Sequence, residues 1–302
     1  MTLTISICQA SYMSDYQSIR VRDEWFSRAK YPDRIEHCLG FEKNDYGIRS
    51  AYGIPNSSNQ GLSKDKKTKY TTTESLTTSS AVRNWNGAAQ MSTGEFILLI
   101  ADDLVPNFEW DLKIENFITN NGFRDGIFKF TDDRCTSLTN LKNDTLLPRH
   151  PGFLRETYEK LGYVFDYNFD SMGPDFDLLI YALSNGCLRD ARSIKFHHSI
   201  GPIYSEDSKL ICGCHENKKS LSLRTISQIR MHSQKPSEIE SILEKKWHKS
   251  YIFMGNLACI NRLSNFFINS MKSGKKNYPA ILIIKSLIKY VLNKFLCPSF
   301  WR

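Results

Sequence analysis

Three groups of side chains in this 302-residue sequence have the types and spacing to do chemistry. The first is the adjacent acid pair Asp102-Asp103, which ends the apolar run Phe96 to Ala101 and precedes Pro106. A short apolar run between Gly94 and a proline predicts a fully buried strand. Two carboxylates at its end repel each other and resist burial, which leaves two readings open. Either they form a solvated turn or helix cap, or they seat a hard divalent cation, Mn²⁺ or Mg²⁺, that keeps positions for phosphate oxygens. The second group is Asp175 and Asp177, after Gly173-Pro174 and at the head of an apolar helical stretch. Asp175 is either an N-cap carboxylate or, kept ionised by the helix dipole, a base for a hydroxyl proton. Asp177 points along the first turn and reads as support for the helix. The third is His197-His198, closing "RSIKFHH"; strand neighbours face opposite sides, so at most one of them faces a given site.

Two further features carry less. His150, in "LPRHPGF", either lines a pocket or packs as a loop histidine beside Pro151. Cys212-Gly-Cys214-His215 has the wrong spacing for a zinc ribbon and no second pair follows, so it reads as a loop with free thiols.

The elements that must position these groups follow from periodicity. "LTISI" (Leu3 to Ile7) predicts a strand, "YQSIRVRDEWFSRAKYP" a helix closed by Pro32, and "RIEHCLGFE" a second strand. Strand, helix, strand opens a parallel α/β sheet with right-handed crossovers. Residues 56 to 80 are Ser/Thr/Lys-rich and predict a surface loop, with a short strand at Tyr70 to Thr73. In "SAVRNWNGAAQMSTG", Ala81, Val82, Trp85, Ala88, Ala89 and Ser92 share one helical face, with Ser79 or Ser80 as cap and Gly94 as the stop. Helices are expected in "NFEWDLKIENFI", "GFLRETYEKLGY" and "DFDLLIYALSNG", and strands in "GIFKFT" and "RSIKFHH". Ligands of open parallel sheets bind outside the carboxyl ends of the strands, which is where Asp102 and Asp103 fall.

The composition, 41% hydrophobic and 24% charged, is that of a folded domain. Charge is uneven: from Glu206 onward there are 17 Lys/Arg against 6 Asp/Glu, leaving 23 against 26 before it. The strongly basic last third is the part that seeks an anionic surface. Pro236-Ser237-Glu238 predicts a helix start, and "YPAILIIKSLIKYVLNKFLCPSFW" an amphipathic helix. Lys285 and Lys289 interrupt that last stretch too soon for the ~20 apolar residues of a spanning helix. Its pattern suits a helix lying in a bilayer surface, or one docked on protein. Lysines interleaved with Ile and Leu, rather than with aromatics and Arg, argue against nucleic acid. Eight scattered cysteines and no leader with a basic n-region lead to the expectation of a reducing cytoplasm, and the basic amphipathic tail to that of a peripheral place at the inner face of the membrane.

The stretch "AVRNWNGAAQMSTGEFILLIADDLVPNFEWD" resembles the central block of family 2 glycosyltransferases: a helix with an Arg-Asn pair, a "TGE" turn, an apolar strand, an Asp-rich motif and a proline. The family's DxD is "ADD" here, as in its variant branch with a small residue before the acidic pair; Ala101 stands at the first Asp position. The resemblance covers roughly residues 3 to 200 and implies an α/β GT-A fold, a Rossmann-like, mostly parallel sheet flanked by helices. It implies a catalytic domain, expected over residues 1–205, and the change of charge near Glu206 sets off a helical basic extension expected over 206–302. By that resemblance Asp103 holds the Mn²⁺ or Mg²⁺ and Asp102 faces the sugar or ribose. Ser6 to Ser11, placed after the first strand, contact the nucleotide. Glu42, or Asp45 as runner-up, reads the base or ribose, and Arg83 and Asn84 lie near the diphosphate. "SMGPDFDLL" resembles the acceptor-site "ED" motif, with Pro174 in place of the Glu, Asp175 at the base position and Asp177 following. His197 or His198 stands where a late strand supplies a metal- or diphosphate-binding histidine.

The function so implied is metal-dependent, inverting transfer of a sugar from a nucleotide diphosphate sugar to a hydroxyl of a saccharide or lipid-linked saccharide, in bacterial surface polysaccharide synthesis. The rival is a catalytically degenerate GT-A-like module that binds nucleotide or saccharide, or tethers a partner to the membrane; Ala101 and Pro174 are what such decay looks like.

Overall fold

The computed structural model describes residues 2–74, 80–132, 147–170, 173–198 and 236–247. The strands are β1 (Ile5–Ser11), β2 (Ile35–Glu42), β3 (Gln60–Leu62), β4 (Thr68–Thr73), β5 (Phe96–Ala101), β6 (Leu104–Pro106), β7 (Ile127–Asp132), β8 (Gly152–Leu154) and β9 (Leu188–His198). They form one sheet in the order β3-β4-β2-β1-β5-β8-β7-β9-β6. β4, β2, β1 and β5 run parallel, as do β7 and β9; β3, β8 and β6 pair antiparallel to their neighbours. The helices are α1 (Asp15–Ser27), α2 (Tyr46–Tyr52), α3 (Ala81–Gln90), α4 (Trp110–Asn121), α5 (Arg155–Leu161), α6 (Pro174–Ser184) and α7 (Pro236–Trp247). The mostly parallel α/β sheet expected from the sequence is present.

Three expectations shift. The first strand is Ile5–Ser11, not Leu3 to Ile7, because pairing with β2 and β5 continues through Ala10 and Gln9 and Ser11 find buried hydrogen-bond partners. The strand expected at Tyr70 to Thr73 starts at Thr68 and joins β2 in parallel; that pairing is tertiary and leaves no local signature. "GFLRETYEKLGY" opens with β8 before its helix, since β5 and β7 both bond to Gly152 and Phe153. The helix expected from Pro236 begins there. The amphipathic stretch near the end of the chain, the Cys212 cluster and the boundary near residue 205 lie outside the described residues.

What fixes the acid pair is the packing around β6, which leaves the turn made by Asp102 and Asp103. Trp25 on α1 meets Trp110 on α4 edge to face, with ring centroids 4.8 Å apart. Trp25 Nε1 donates to the Leu104 carbonyl at 2.7 Å, and Trp110 Nε1 to the Trp25 carbonyl at 2.8 Å. Phe196 of β9 closes the group against Trp25 at 5.1 Å. Such pairs add to their area burial, and both indole N–H groups are satisfied.

α3 lies close on the sheet. Ser80 caps it, accepting from the Arg83 N–H at 3.1 Å. The approach depends on Gly40 in β2: a Cβ there would stand 1.9 Å from the Asn84 carbonyl oxygen. Backbone cannot yield as a side chain can, so Gly40→Ala is expected to cost about 2 kcal/mol of stability by chemical denaturation and to displace α3.

At the opposite end of the sheet, Glu36 ties β2 to the loop before β5. Lys69, the Ser6 hydroxyl, the Thr93 N–H and hydroxyl, and the Gly94 N–H all donate to its carboxylate. Burial alone would raise this carboxyl; the donors outweigh it and hold it at about 2. A depressed pKa contributes stability that is present above the unfolded value and lost as pH falls through the folded one. The stability difference between wild type and Glu36→Gln is therefore expected to stay constant above pH ~5 and to shrink by roughly 3 kcal/mol between there and pH ~2. Urea titrations across that range check it; a constant difference would contradict the assignment.

Candidate active site

Asp102 and Asp103 form the turn between β5 and β6, at the carboxyl ends of β1, β2 and β5. Asp102 turns inward. Its Oδ1 accepts from Gln9 Nε2 at 2.7 Å and its Oδ2 from the Ser11 hydroxyl at 2.9 Å, while its carbonyl accepts from Gln17 Nε2 at 3.1 Å. Desolvation raises its carboxyl to about 7, with the Asp103 charge adding and the bonds from Gln9, Ser11 and Ser14 opposing. By exposure Asp102 and Asp103 are alike, both half-buried.

The same strand ends gather further polar groups. Glu42 closes β2, buried, and accepts from the Ser80 N–H at 3.3 Å. Asn84, buried on the first turn of α3, donates to the Ser11 carbonyl at 3.2 Å and accepts from the Thr73 hydroxyl at 2.5 Å. The structure thus brings Ser11, Glu42, Asn84, Asp102 and Asp103 together. Arg83 lies on the same turn of α3, but its guanidinium pairs with Asp170 at 3.0 Å, holding the segment that leads to α6.

Two expected donor contacts are corrected. Ser6 is inside β1, not after it, and its hydroxyl serves Glu36 and the Gly94 N–H at the amino end of the sheet. Asp45 caps α2: its Oδ1 accepts from the Ile48 N–H at 3.1 Å and its Oδ2 from the Met13 N–H at 2.7 Å, fixing the loop after β1.

On the other flank, Pro151 bonds Leu99 through its carbonyl, so Arg149 and His150 run beside the end of β5. His150 packs edge to face on Trp85, with centroids 6.1 Å apart. Asp175 sits in the first turn of α6, accepting from the Phe176 N–H at 3.0 Å. Burial raises its carboxyl, against the positive charges of Arg149 and Lys129. The helix terminus was expected to keep Asp175 readily ionised; desolvation prevails instead, which makes it a stronger proton acceptor once ionised.

Asp177, which follows the base position in the motif, is held as a supporting group. It is buried, and Lys246 of α7 donates to its Oδ2 at 2.9 Å, as well as to Asp166 at 2.5 Å and the Tyr163 hydroxyl at 3.1 Å. Sequence reading missed this because the lysine lies 69 residues away. His197 Nε2 is hydrogen-bonded to Asn107 Oδ1, just past β6, the partner strand of β9. For His198 the backbone pairs with Leu104, next to Asp103. Gln9 was also missed. The available signal was polar Gln9 and Ser11 on one alternate face of a strand otherwise filled by Ile5 and Ile7.

Among the described residues no three His, Cys, Asp or Glu side chains gather as a metal cluster, and no helix is long and apolar enough to cross a membrane. The residues present still fit Mn²⁺ or Mg²⁺. Such ions bind through one or two carboxylates plus phosphate oxygens, and half-buried Asp103 beside the desolvated Asp102 offers that oxygen chemistry.

No protein-family model matches the chain, and no curated protein matches its sequence. Solved structures match its shape. A crystal structure of S. aureus TarS 1-349 in complex with UDP superposes with a TM-score of 0.50 at 13% identity, covering 65% of this chain and 60% of that one. A second structure of TarS 1-349 gives 0.50 at 12% identity over the same shares. The chain has a GT-A-type fold. The mannosyltransferase PcManGT from Pyrobaculum calidifontis, in complex with GDP-Man and Mn²⁺, gives 0.49 at 14% identity, covering 99% of this chain and 84% of that one. At these identities the likeness is one of fold, and the chain spans 60% of the TarS 1-349 structure it matches.

Removing the Lys246 ammonium would strand a buried carboxylate. Lys246→Met is expected to lower stability by about 3 kcal/mol, and Lys246→Met/Asp177→Asn to recover part of the loss, measured by urea denaturation. Equal stability of wild type and Lys246→Met would show that Asp177 is not held this way.

Proposed function

We propose that the chain is a glycosyltransferase of the family 2 type with an "ADD" motif, moving a sugar from a nucleoside diphosphate sugar to a hydroxyl with inversion. The observation that carries this is the inward-turned, desolvated Asp102 beside Asp103 at the carboxyl end of β5, on a GT-A-type sheet. The UDP in the TarS complex supports trying uridine diphosphate donors first.

In this reading Asp102, Ser11 and Glu42 face the nucleoside side of the donor, and Asn84 lies nearer the diphosphate. Asp103 holds the divalent ion, Mn²⁺ or Mg²⁺, with His197 or His198 as a further candidate. The ion, when bound, neutralises charge on the departing diphosphate. Asp175 takes the proton of the acceptor hydroxyl as that oxygen bonds to the anomeric carbon and the bond to the diphosphate oxygen breaks on the opposite face. Arg149 and Lys129 keep enough positive charge near Asp175 to oppose its burial. The acceptor is a saccharide or lipid-linked saccharide, and the basic last third, with 17 Lys/Arg against 6 Asp/Glu, supports a site of action at the cytoplasmic face of a membrane.

A thermal-shift panel of nucleotide sugars with and without Mn²⁺ tests this, since a ligand at 100 times its Kd stabilises by about 2.7 kcal/mol. Wild type is expected to respond to one donor class, and Asp103→Asn to lose the Mn²⁺-dependent part. Asp175→Asn is expected to keep the donor response while transfer falls roughly 100-fold or more. Donor binding with neither hydrolysis nor transfer by wild type would favour the degenerate binding module. No response to any nucleotide sugar would overturn both readings.

A further inference from the structure

Behind Asp102 a file of buried polar side chains crosses the sheet. Arg22 Nη1 lies 3.1 Å from Thr68 Oγ1, Thr68 Oγ1 3.0 Å from His37 Nδ1, His37 Nε2 2.8 Å from Gln9 Oε1, and Gln9 Nε2 2.7 Å from Asp102 Oδ1. Gln9 and Thr68 are wholly buried, and His37 and Arg22 nearly so. Arg22 is itself anchored by Asp23 and by Asp65, at 2.8 and 2.9 Å.

The partners give the file a direction. The nitrogen of Gln9 faces the Ser18 carbonyl and hydroxyl as well as Asp102, so its oxygen is the atom that faces His37. Burial, helped by the Arg22 charge, holds the imidazole down at about 3; it is neutral and carries one N–H. That hydrogen is on Nε2, donated to Gln9, and Nδ1 accepts the Thr68 hydroxyl hydrogen. Thr68 in turn accepts from Arg22. The assignment follows from the network of partners.

We propose that Gln9 and His37 are positioning residues: the one-way chain from Arg22 fixes the direction in which Asp102 presents its carboxylate to the donor nucleotide. The proposal rests on the reading of Asp102 as a donor-facing acid. Behind Gln9, apolar groups of the same shape in place of His37 and Thr68 would fold about as well, because a satisfied hydrogen bond adds little net stability while an orphaned one costs more. Orientation is therefore what the polar file adds.

Two measurements test it. In ¹⁵N-histidine-labelled protein, the His37 ring is expected to carry its hydrogen on Nε2; a hydrogen on Nδ1 overturns the chain. Calorimetry of UDP and of GDP with Mn²⁺ then compares wild type with Gln9→Met and Gln9→Met/His37→Leu, well below each Tm. Both variants are expected to bind the preferred nucleotide at least tenfold more weakly, and the double variant to regain stability over the single one without regaining affinity. A purely structural role would return both together. Folded double variant with affinity within twofold of wild type overturns the proposal and leaves the glycosyltransferase reading standing. Wild type that binds neither nucleotide overturns that reading and this one with it. If the double variant does not fold, Thr68→Val, isosteric and three bonds from Asp102, is expected to weaken binding about threefold, and wild-type affinity in it overturns the proposal.

Discussion

A carboxylate withdrawn from water at the end of a buried strand is the constraint around which this protein is arranged. Asp102 could not sit inward at the end of β5 without donors, and its neighbour Asp103 adds repulsion to the desolvation. Gln9 and Ser11 meet it from β1, and Gln17 from α1 holds its carbonyl. Each of those donors is in turn placed by strand register, since Gln9 pairs with Ile100 and Ala10 with Ala101. The acid's orientation is thus a property of the sheet, not of the turn.

The rest of the fold serves the same end of the sheet. The Trp25–Trp110–Phe196 group grips β6 directly after the acid pair, so the turn has fixed backbone on both sides. Gly40 lets α3 descend until Asn84 reaches the Ser11 carbonyl, joining the helix to the strand that supports Asp102. On the flank of α6, Arg83 with Asp170 and Lys246 with Asp166 and Asp177 brace the approach to the helix, and with it Asp175. α7, far along the chain, is part of this support.

Much of this was legible in the sequence where one element carries its own signal. The apolar run of β5 ending in two acids, the serine cap of α3, and the start of α7 at Pro236 are local patterns and appear as read; α3 itself stops at Gln90 rather than Gly94 and buries Asn84 and Asn86 with Val82, Ala88 and Ala89, in place of Ala81 and Trp85. What was not legible depends on partners distant in the chain. β1 was cut short at Ile7 because Gln9 and Ser11 interrupt its apolar run, and that misplaced Ser6 into the site. Asp45 carries no mark that distinguishes a ligand-facing acid from one capping α2. Asp177 resembles a catalytic acid in its motif, and only the fold reveals Lys246 upon it. His37 looked like one more residue of a core strand, although it stands next but one to the proposed donor site.

The central claim is that the donor diphosphate is held at the carboxyl end of β5. A crystal structure of the protein with UDP and Mn²⁺, with the ion located by its anomalous scattering, tests it most directly. The ion is expected about 2.1 Å from an Asp103 carboxylate oxygen, with the nucleoside against Asp102 and Ser11. An ion bound elsewhere, or a nucleotide lying away from β1 and β5, would contradict it.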